Sequence, residues 1–389
     1  MSDAVAIIGA GPAGLSTAHF LAKAGIRHIL IDRANFPRDK VCGESYDGKV
    51  YHTLRRIHTD LPQRMQDLGI LRADRRYQMV VDGAPPLPVV FSEGATPRLQ
   101  GTRRAFDDFL LLELLKKGLT TWMPGTKVSQ YESSAAGWRL RLSNGARLSV
   151  AAVVFAAGSK ATNPFLPRPS ASKGELLFYR MHLRCPAEEG EENGIEFHLQ
   201  NKPVPVCLSL CPLNGGIYNV EVGIRRRDYP ELGQPLSMFL ENAVSTLDER
   251  FRNAEEVGRG AGISMQLHRY SGSLSGQRWL VAGSAAVQVN PITGMGVGNA
   301  MRMGELAAEL IVEQYQRSDS WSLLAYDARV RQVLRQEIRF SRLVTWLQHR
   351  QPLLRPVMRG LARTKRVQHW LQQPDLVQRF SDPAFYRRK

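Results

Sequence analysis

The chain has 389 residues, 52 Lys and Arg against 36 Asp and Glu, 43% hydrophobic side chains and four cysteines. That length buries a large core and walls off a cofactor pocket, and the apolar content excludes a disordered chain. No stretch reaches the ~20 consecutive apolar residues of a membrane-spanning helix, and the N-terminus runs straight into Ala4-Val5-Ala6-Ile7-Ile8, leaving no room for a signal peptide.

Cysteines 42, 185, 207 and 211 are too few to staple a chain this long, so free thiols in a reducing cytoplasm are expected. The net charge of +16 is uneven: residues 321–389 hold 15 Lys and Arg against 4 Asp and Glu. Such a block attracts phosphate, an anionic membrane surface or an acidic protein partner. Nucleic acid is not expected, because the apolar residues of this region recur at helical spacing without a recognition motif.

In chain order, residues 5–34 read as strand, glycine turn, helix and strand, a βαβ unit ending at Asp32. Residues 75–100, with Tyr77 to Val81 and a proline-rich run at 85–88, predict strands outside that unit. A helix is expected at about 104–117. The alternation from Trp138 to Leu142, the turn at Asn144-Gly145 and Arg147 to Val150 predict a hairpin, followed by a buried strand from Val153 to Ala157. From about 168 to 270 the text changes to period-two alternation (Leu176 to Leu183) with a helix near 235–250. A strand at Trp279 to Ala282, a glycine loop and a long helix from Val297 to about Tyr315 follow. The remainder, from Ser322, reads as helical and basic.

Gly9-Ala10-Gly11-Pro12-Ala13-Gly14 fits G-x-G-x-x-G between a strand and a helix, the setting that brings backbone N–H groups and a helix N-terminus to a pyrophosphate. Asp32 follows Gly14 by 18 residues, near the ~20 expected of a carboxylate that accepts from a ribose hydroxyl. Arg33 beside it reads as solvated or as a contact to the nucleotide. A second glycine-rich segment runs from Val281-Ala282-Gly283-Ser284 through Asn290-Pro291 and Gly294-Met295-Gly296-Val297-Gly298-Asn299 into a helix, another anion-facing helix start.

With Phe36-Pro37-Arg38-Asp39-Lys40-Val41-Cys42-Gly43-Glu44-Ser45 and Arg103-x-x-Phe106-Asp107, these motifs resemble the FAD-dependent family built like p-hydroxybenzoate hydroxylase, in the branch of geranylgeranyl reductases and flavin halogenases. The resemblance implies an α/β (mixed α+β) fold: a Rossmann-like FAD-binding domain from 1–74, 101–167 and 271–320, an inserted antiparallel β-sheet substrate domain from 75–100 and 168–270, and a basic helical C-terminal region, 321–389. It implies that Gly9, Gly11, Pro12, Ala13 and Gly14 hold the FAD pyrophosphate and Asp32 the ribose. Arg38 and Arg103 stand as cationic anchors, Gly158 and Gly283 line the cofactor, and Pro291, Gly294, Gly296, Val297 and Asn299 border the isoalloxazine.

Three features depart from the pattern: Ser284 replaces the usual carboxylate, Ala156-Ala157-Gly158-Ser159 lacks an Asp, and Cys207 to Pro212 lacks the reductases' aromatic strand. Cys42 is a candidate proton donor beside the flavin, or a small apolar side chain next to Gly43. Cys207 and Cys211, four apart on a strand, are expected on one face as lining; no metal set is complete.

One dinucleotide fingerprint implies that NAD(P)H, as electron donor, binds only transiently. The leading expectation is a monooxygenase acting on an electron-rich or aromatic substrate, free or tethered to a carrier or a protein. The alternatives are a C=C reductase of prenyl or polyene chains, then a halogenase, for which no Trp-x-Trp-x-Ile segment is found, and a non-catalytic flavin-binding partner. Trp346-Leu347, Leu353-Leu354, Val357-Met358 and Leu361, interleaved with Arg350, Arg355, Arg359 and Arg363, read either as a stripe docked on the body or as a basic face for a membrane or an acidic partner.

Overall fold

The computed structural model describes residues 4–81, 86–90, 96–134, 136–159, 161–166, 175–185, 194–200, 203–247, 249–266, 272–286, 296–317 and 321–334. The fold is mixed α/β, as expected. Strand β1 (Val5–Ile8) is buried at all four positions and pairs in parallel on both sides, with β2 (His28–Ile31) and with Ala152–Phe155. A short, wholly apolar run is what a strand covered on both faces requires. The five-stranded parallel sheet runs Trp279–Val281, Ala152–Phe155, β1, β2, Thr120–Met123.

Helix α1 (Pro12–Lys23) follows the glycine turn and lies against the long helix Val297–Gln316. The two approach so closely that a Cβ on Gly304 would stand 2.2 Å from the Ala13 carbonyl oxygen. Ser16 Oγ donates to the Met301 carbonyl at 2.7 Å and Thr17 Oγ1 to that of Gly304 at 3.1 Å, so the small residues also seal the contact with buried hydrogen bonds.

The expected hairpin forms at Gly137–Leu142 and Arg147–Val150, in a three-stranded sheet with Val128–Ser134. The helices at 103–115 and 236–247 also form. An eight-stranded sheet makes the second body. Its centre is Glu175–Arg184, Ile217–Arg225, Val206–Pro212 and Ile195–Gln200, all antiparallel, and Arg76–Val81 then adds in parallel.

Alternation divides this sheet. Met181, Leu183, Leu208, Leu210, Val220 and Val222 are buried on one face with Phe239, Leu240 and Val244 of the helix Leu236–Leu247. Phe178, Arg180, His182, Asn219, Glu221, Ser209 and Cys211 take the other, by the period of two.

One expected boundary shifts. Within 75–100, Arg98–Gln100 does not join the large sheet but pairs with Ser45–Tyr46 and Arg72–Asp74, against the nucleotide-binding body. Among the described residues no helix is long and apolar enough to cross a membrane, and no group of three or more His, Cys, Asp or Glu could hold a metal.

Candidate active site

A cavity of about 840 Å³ extends from the glycine turn to the polar face of the large sheet. Gly9, Gly11, Pro12 and Ala13 line its nucleotide end with Asp32 and Arg33; Cys42, Gly43, Gly158, Gly283, Ser284, Gly296 and Val297 line its middle. At the far end stand Phe178, Ile195, Phe197, Ser209, Cys211, Glu221, Ile263 and Met265.

The turn explains its own glycines. Gly9 has φ +106°, and a Cβ there would come within 2.4 Å of the Ala156 carbonyl oxygen. A Cβ on Gly14 would sit 1.8 Å from the Gly9 carbonyl oxygen. Gly14 therefore serves the packing of helix on turn and stands behind the cavity wall that Gly9, Gly11, Pro12 and Ala13 form. Gly11 is the bare position: the nearest atom to a Cβ there is Arg38 Nη2 at 3.9 Å.

Helix α1 has Gly11 as N-cap with no side-chain cap, and the helix from Val297 likewise has an uncapped N-terminus at Gly296. Two helix starts without a side-chain cap thus meet one cavity, each favouring an anion. Asp32 fixes the turn as well as facing the cavity: its carboxylate oxygens accept from Ala10 N at 2.7 Å and Ala34 N at 2.8 Å. Two acceptor positions remain for a ribose hydroxyl.

Arg38 and Arg103 converge on the wholly buried Asp107. Arg103 forms the fork, Nε to Oδ1 at 3.0 Å and Nη2 to Oδ2 at 2.5 Å, and Arg38 Nη2 lies 3.1 Å from Oδ2. Asp107 is the shared counter-ion of both arginines. Arg38 Nη1 is buried without a hydrogen-bond partner beside the bare turn. A buried cationic donor left open there, with two uncapped helices, fits the phosphates of FAD.

The rest of the expected set divides. Gly158, with φ +81°, lies with its Cα hydrogens toward Ser284, whose Oγ would be 3.9 Å from a Cβ there; both face the cavity. Asn299, buried in the first turn of the helix, accepts through Oδ1 from Lys49 Nζ at 2.6 Å. Pro291 and Gly294 lie outside the described residues. Arg33 is exposed at the rim of the nucleotide end.

At the sheet end, Cys211 lines the cavity as expected; its strand carries no aromatic residue, and the aromatic side chains there come from Phe197 on the adjoining strand and from Phe178, whose ring lies across Gly223. Burial pushes the Cys42 thiol above its ordinary value and Cys211 well above. Both stay protonated near neutrality, so Cys42 is no nucleophile and only a weak acid.

The titrating group that sequence reading passed over is Glu221, pushed up to about 8 by burial first and by the charge of Glu44 second. Its Oε1 would lie 3.3 Å from a Cβ on Gly43, next to Cys42. A carboxyl poised between charged and neutral in a cavity is suited to acid–base work.

A family model described as FAD binding domain matches residues 2–47. The chain is 25% identical to a menaquinone reductase of Mycolicibacterium smegmatis, over 79% of this chain and 76% of that protein. It is also 25% identical to a 1H-pyrrole-2-carbonyl-[peptidyl-carrier protein] brominase of Pseudoalteromonas luteoviolacea, over 84% and 80%. Its fold matches a flavoprotein/dehydrogenase from Cytophaga hutchinsonii with a TM-score of 0.78 at 18% identity, covering 99% of this chain and 93% of that one. The resemblance carried by the motifs is borne out: the chain has the fold of FAD-dependent oxidoreductases and an FAD-binding segment at its start, and it is similar to reductases and halogenases alike.

Proposed function

We propose that the protein is an FAD-dependent monooxygenase acting on a compact, electron-rich aromatic group, with Glu221 as the proton acceptor. The observation that carries this reading is the sheet end of the cavity: two phenylalanines, a methionine and two isoleucines around one carboxyl. About 840 Å³ lies near the upper end of the ~300–1,000 Å³ of small-molecule sites, and the cofactor must share it. What remains suits a ring system better than an extended prenyl chain. The C=C reductase is therefore the second reading, despite the similarity to a menaquinone reductase.

FAD, when bound, supplies the reducing electrons and the activation of O2. The chain's own part is to hold the substrate ring against Phe178 and Phe197, to keep water out with the apolar wall, and to manage one proton. Glu221 as carboxylate accepts a hydrogen bond from a ring N–H or O–H, raising the electron density of the ring, and takes the ring's proton as oxygen is added. Over a cycle the substrate gains one oxygen atom, the other leaves as water, and NAD(P)H, bound transiently, provides the hydride. The basic C-terminal region supports a substrate carried on an acidic protein, because a free small molecule needs no electropositive docking face.

The test is turnover of the FAD-loaded protein with NAD(P)H under ¹⁸O₂, against a panel of indoles, pyrroles and phenols, free and carrier-linked. A product heavier by one labelled oxygen supports the proposal. Saturation of an isoprenoid double bond without O2 would instead make the protein a reductase, and failure to bind FAD would leave the partner-protein reading.

A further inference from the structure

Across the middle of the large sheet, one row on the cavity face runs Phe197, Ser209, Glu221 and Arg180, each directly opposite the next on the neighbouring strand. The register therefore sets the Ser209 hydroxyl and the Glu221 carboxyl side by side, with Cβ atoms ~4.5–5.5 Å apart. Both residues line the cavity. By the period of two, Ser209 shares its face with Cys207 and Cys211 of the same strand, and these small side chains leave depth above the sheet for a ring.

The other polar groups of this face are engaged by the loop from Asp39 to Glu44. Arg180 pairs with Asp39, Asn219 Nδ2 donates to the Cys42 carbonyl at 2.8 Å, and His182 Nε2 meets Glu44 Oε2 at 2.7 Å. Ser209 and Glu221 differ: among the described residues neither side chain has a hydrogen-bond partner, although Ser209 is only 9% exposed. The Glu221 carboxyl leans toward the loop, where its Oε1 would lie 3.3 Å from a Cβ on Gly43, and leaves the hydroxyl unbound. A buried polar group without a partner costs free energy, which a ligand that bonds to it recovers. The thiols beside Ser209 are weak donors, so its hydroxyl is the strong side-chain donor of that strand's cavity face.

Resting on the reading of the sheet end as the seat of an aromatic substrate, we propose that Ser209 and Glu221 form a two-point recognition site for a heteroaromatic ring that carries an N–H beside a carbonyl group. Glu221 accepts from the ring N–H, and Ser209 donates to the carbonyl oxygen. The two protein groups are neighbours in one row, as the two ligand groups are neighbours on one ring edge. Phe197, opposite Ser209, and Phe178, whose ring lies across Gly223 two residues along from Glu221, flank the ring. A carboxyl keeps an acceptor oxygen with or without its proton, so this recognition does not depend on the charge of Glu221.

Three small probes test it: 2-acetylpyrrole carries both groups, 2-ethylpyrrole lacks the carbonyl and 2-acetylfuran lacks the N–H. Their dissociation constants are read from the perturbed flavin absorbance of the FAD-loaded full chain, without NAD(P)H. Wild type is expected to bind 2-acetylpyrrole about tenfold or more tighter than either analogue, the scale of one hydrogen bond whose loss leaves the site's own group unpaired. Ser209→Ala removes the preference over 2-ethylpyrrole and keeps that over 2-acetylfuran; Glu221→Leu does the reverse.

A wild type that binds the three probes alike, or binds none of them, overturns the proposal. So does a Ser209→Ala protein that loses affinity equally for 2-acetylpyrrole and 2-ethylpyrrole, which would make Ser209 a packing residue. Should Glu221→Leu not fold, Ser209→Ala, the deletion of one oxygen, decides alone. Because binding is read without turnover, the predicted preferences in a protein that incorporates no oxygen would sustain the recognition site while refuting the monooxygenase. Oxygen incorporated without those preferences would refute the recognition site alone.

Discussion

Arg38 and Asp107 show how one buried carboxylate orders a cationic site. Asp107 has no exposure and holds Arg103 as a fork, leaving Arg38 anchored through one nitrogen and open at the other. Arg38→Ala is expected to weaken FAD binding by roughly ten- to a hundredfold, the worth of a charge-assisted hydrogen bond of ~1.5–3 kcal/mol. Flavin titration of the apoprotein, followed by fluorescence, reads this directly; an unchanged affinity would remove Arg38 from the site.

Glu221 carries a second prediction at this scale. Its carboxyl ordinarily titrates at 4.5 and is raised to about 8 in the fold, so the folded state binds the proton more tightly between those values. The neutral form's advantage is fully present below 4.5 and is lost as pH rises through 8. Glu221→Gln should therefore gain thermal stability over wild type as pH rises from 5 to 9, by a few degrees at the upper end. Turnover that needs the carboxylate should rise through about pH 8 in wild type and lose that limb in Glu221→Gln.

The residues of the glycine turn could be found in sequence because their spacing is local. Glu221 could not: in Val220-Glu221-Val222 it has the look of a polar residue on the wet side of an amphipathic strand. Which side is wet depends on the loop from Asp39 to Glu44 folding over that face, a contact made across more than 170 residues.

At the scale of elements, the βαβ start, the hairpin at Asn144-Gly145 and the long helix from Val297 were all legible, because period and turn chemistry are written within a few residues of each. The pairing of Arg98–Gln100 was not, since a three-residue strand has no period to read and its partners lie at 45–46 and 72–74. Partnership between α1 and the helix Val297–Gln316 was equally hidden, although both carry small residues. Gly304→Ala places a methyl 2.2 Å from the Ala13 carbonyl oxygen, which is backbone and cannot swing aside. The helices must separate, at a cost of about 1–3 kcal/mol, seen as a lowered thermal midpoint. Because Ala13 lines the cavity, FAD affinity should fall with it. A variant as stable as wild type would show that the two helices sit further apart.

Over the whole molecule, the start of the C-terminal region belongs to the body. Leu323, Tyr326, Val330 and Leu334 are buried in the nucleotide-binding core at helical spacing. Asp327 accepts from Leu274 N at 2.9 Å, Ser273 Oγ at 2.6 Å and Ser275 Oγ at 2.9 Å. The charges here are used internally as well: Arg329 meets both oxygens of Glu313 at 2.7 Å, and Arg331 lies 3.6 Å from Asp327. The segment 323–334 is thus packed on the body, while the stripe from Trp346 to Arg363, to which the docked and basic-face readings belong, lies outside the described residues.

That division sharpens the prediction for partner binding. Arginines already paired to the body contribute little to steering an acidic surface, so the attraction must come from the arginines after 334. Charge reversal of Arg355, Arg359 and Arg363 together is expected to abolish capture of a carrier- or protein-borne substrate at low salt and to slow its turnover. A free small substrate should be turned over as fast as by wild type, because association steered by charge fades with ionic strength whereas the cavity is untouched. Measuring both substrates across a salt series checks it. Equal losses for the free and the tethered substrate would mean that these arginines support the fold, and no loss for either would mean that the substrate arrives without a docking protein.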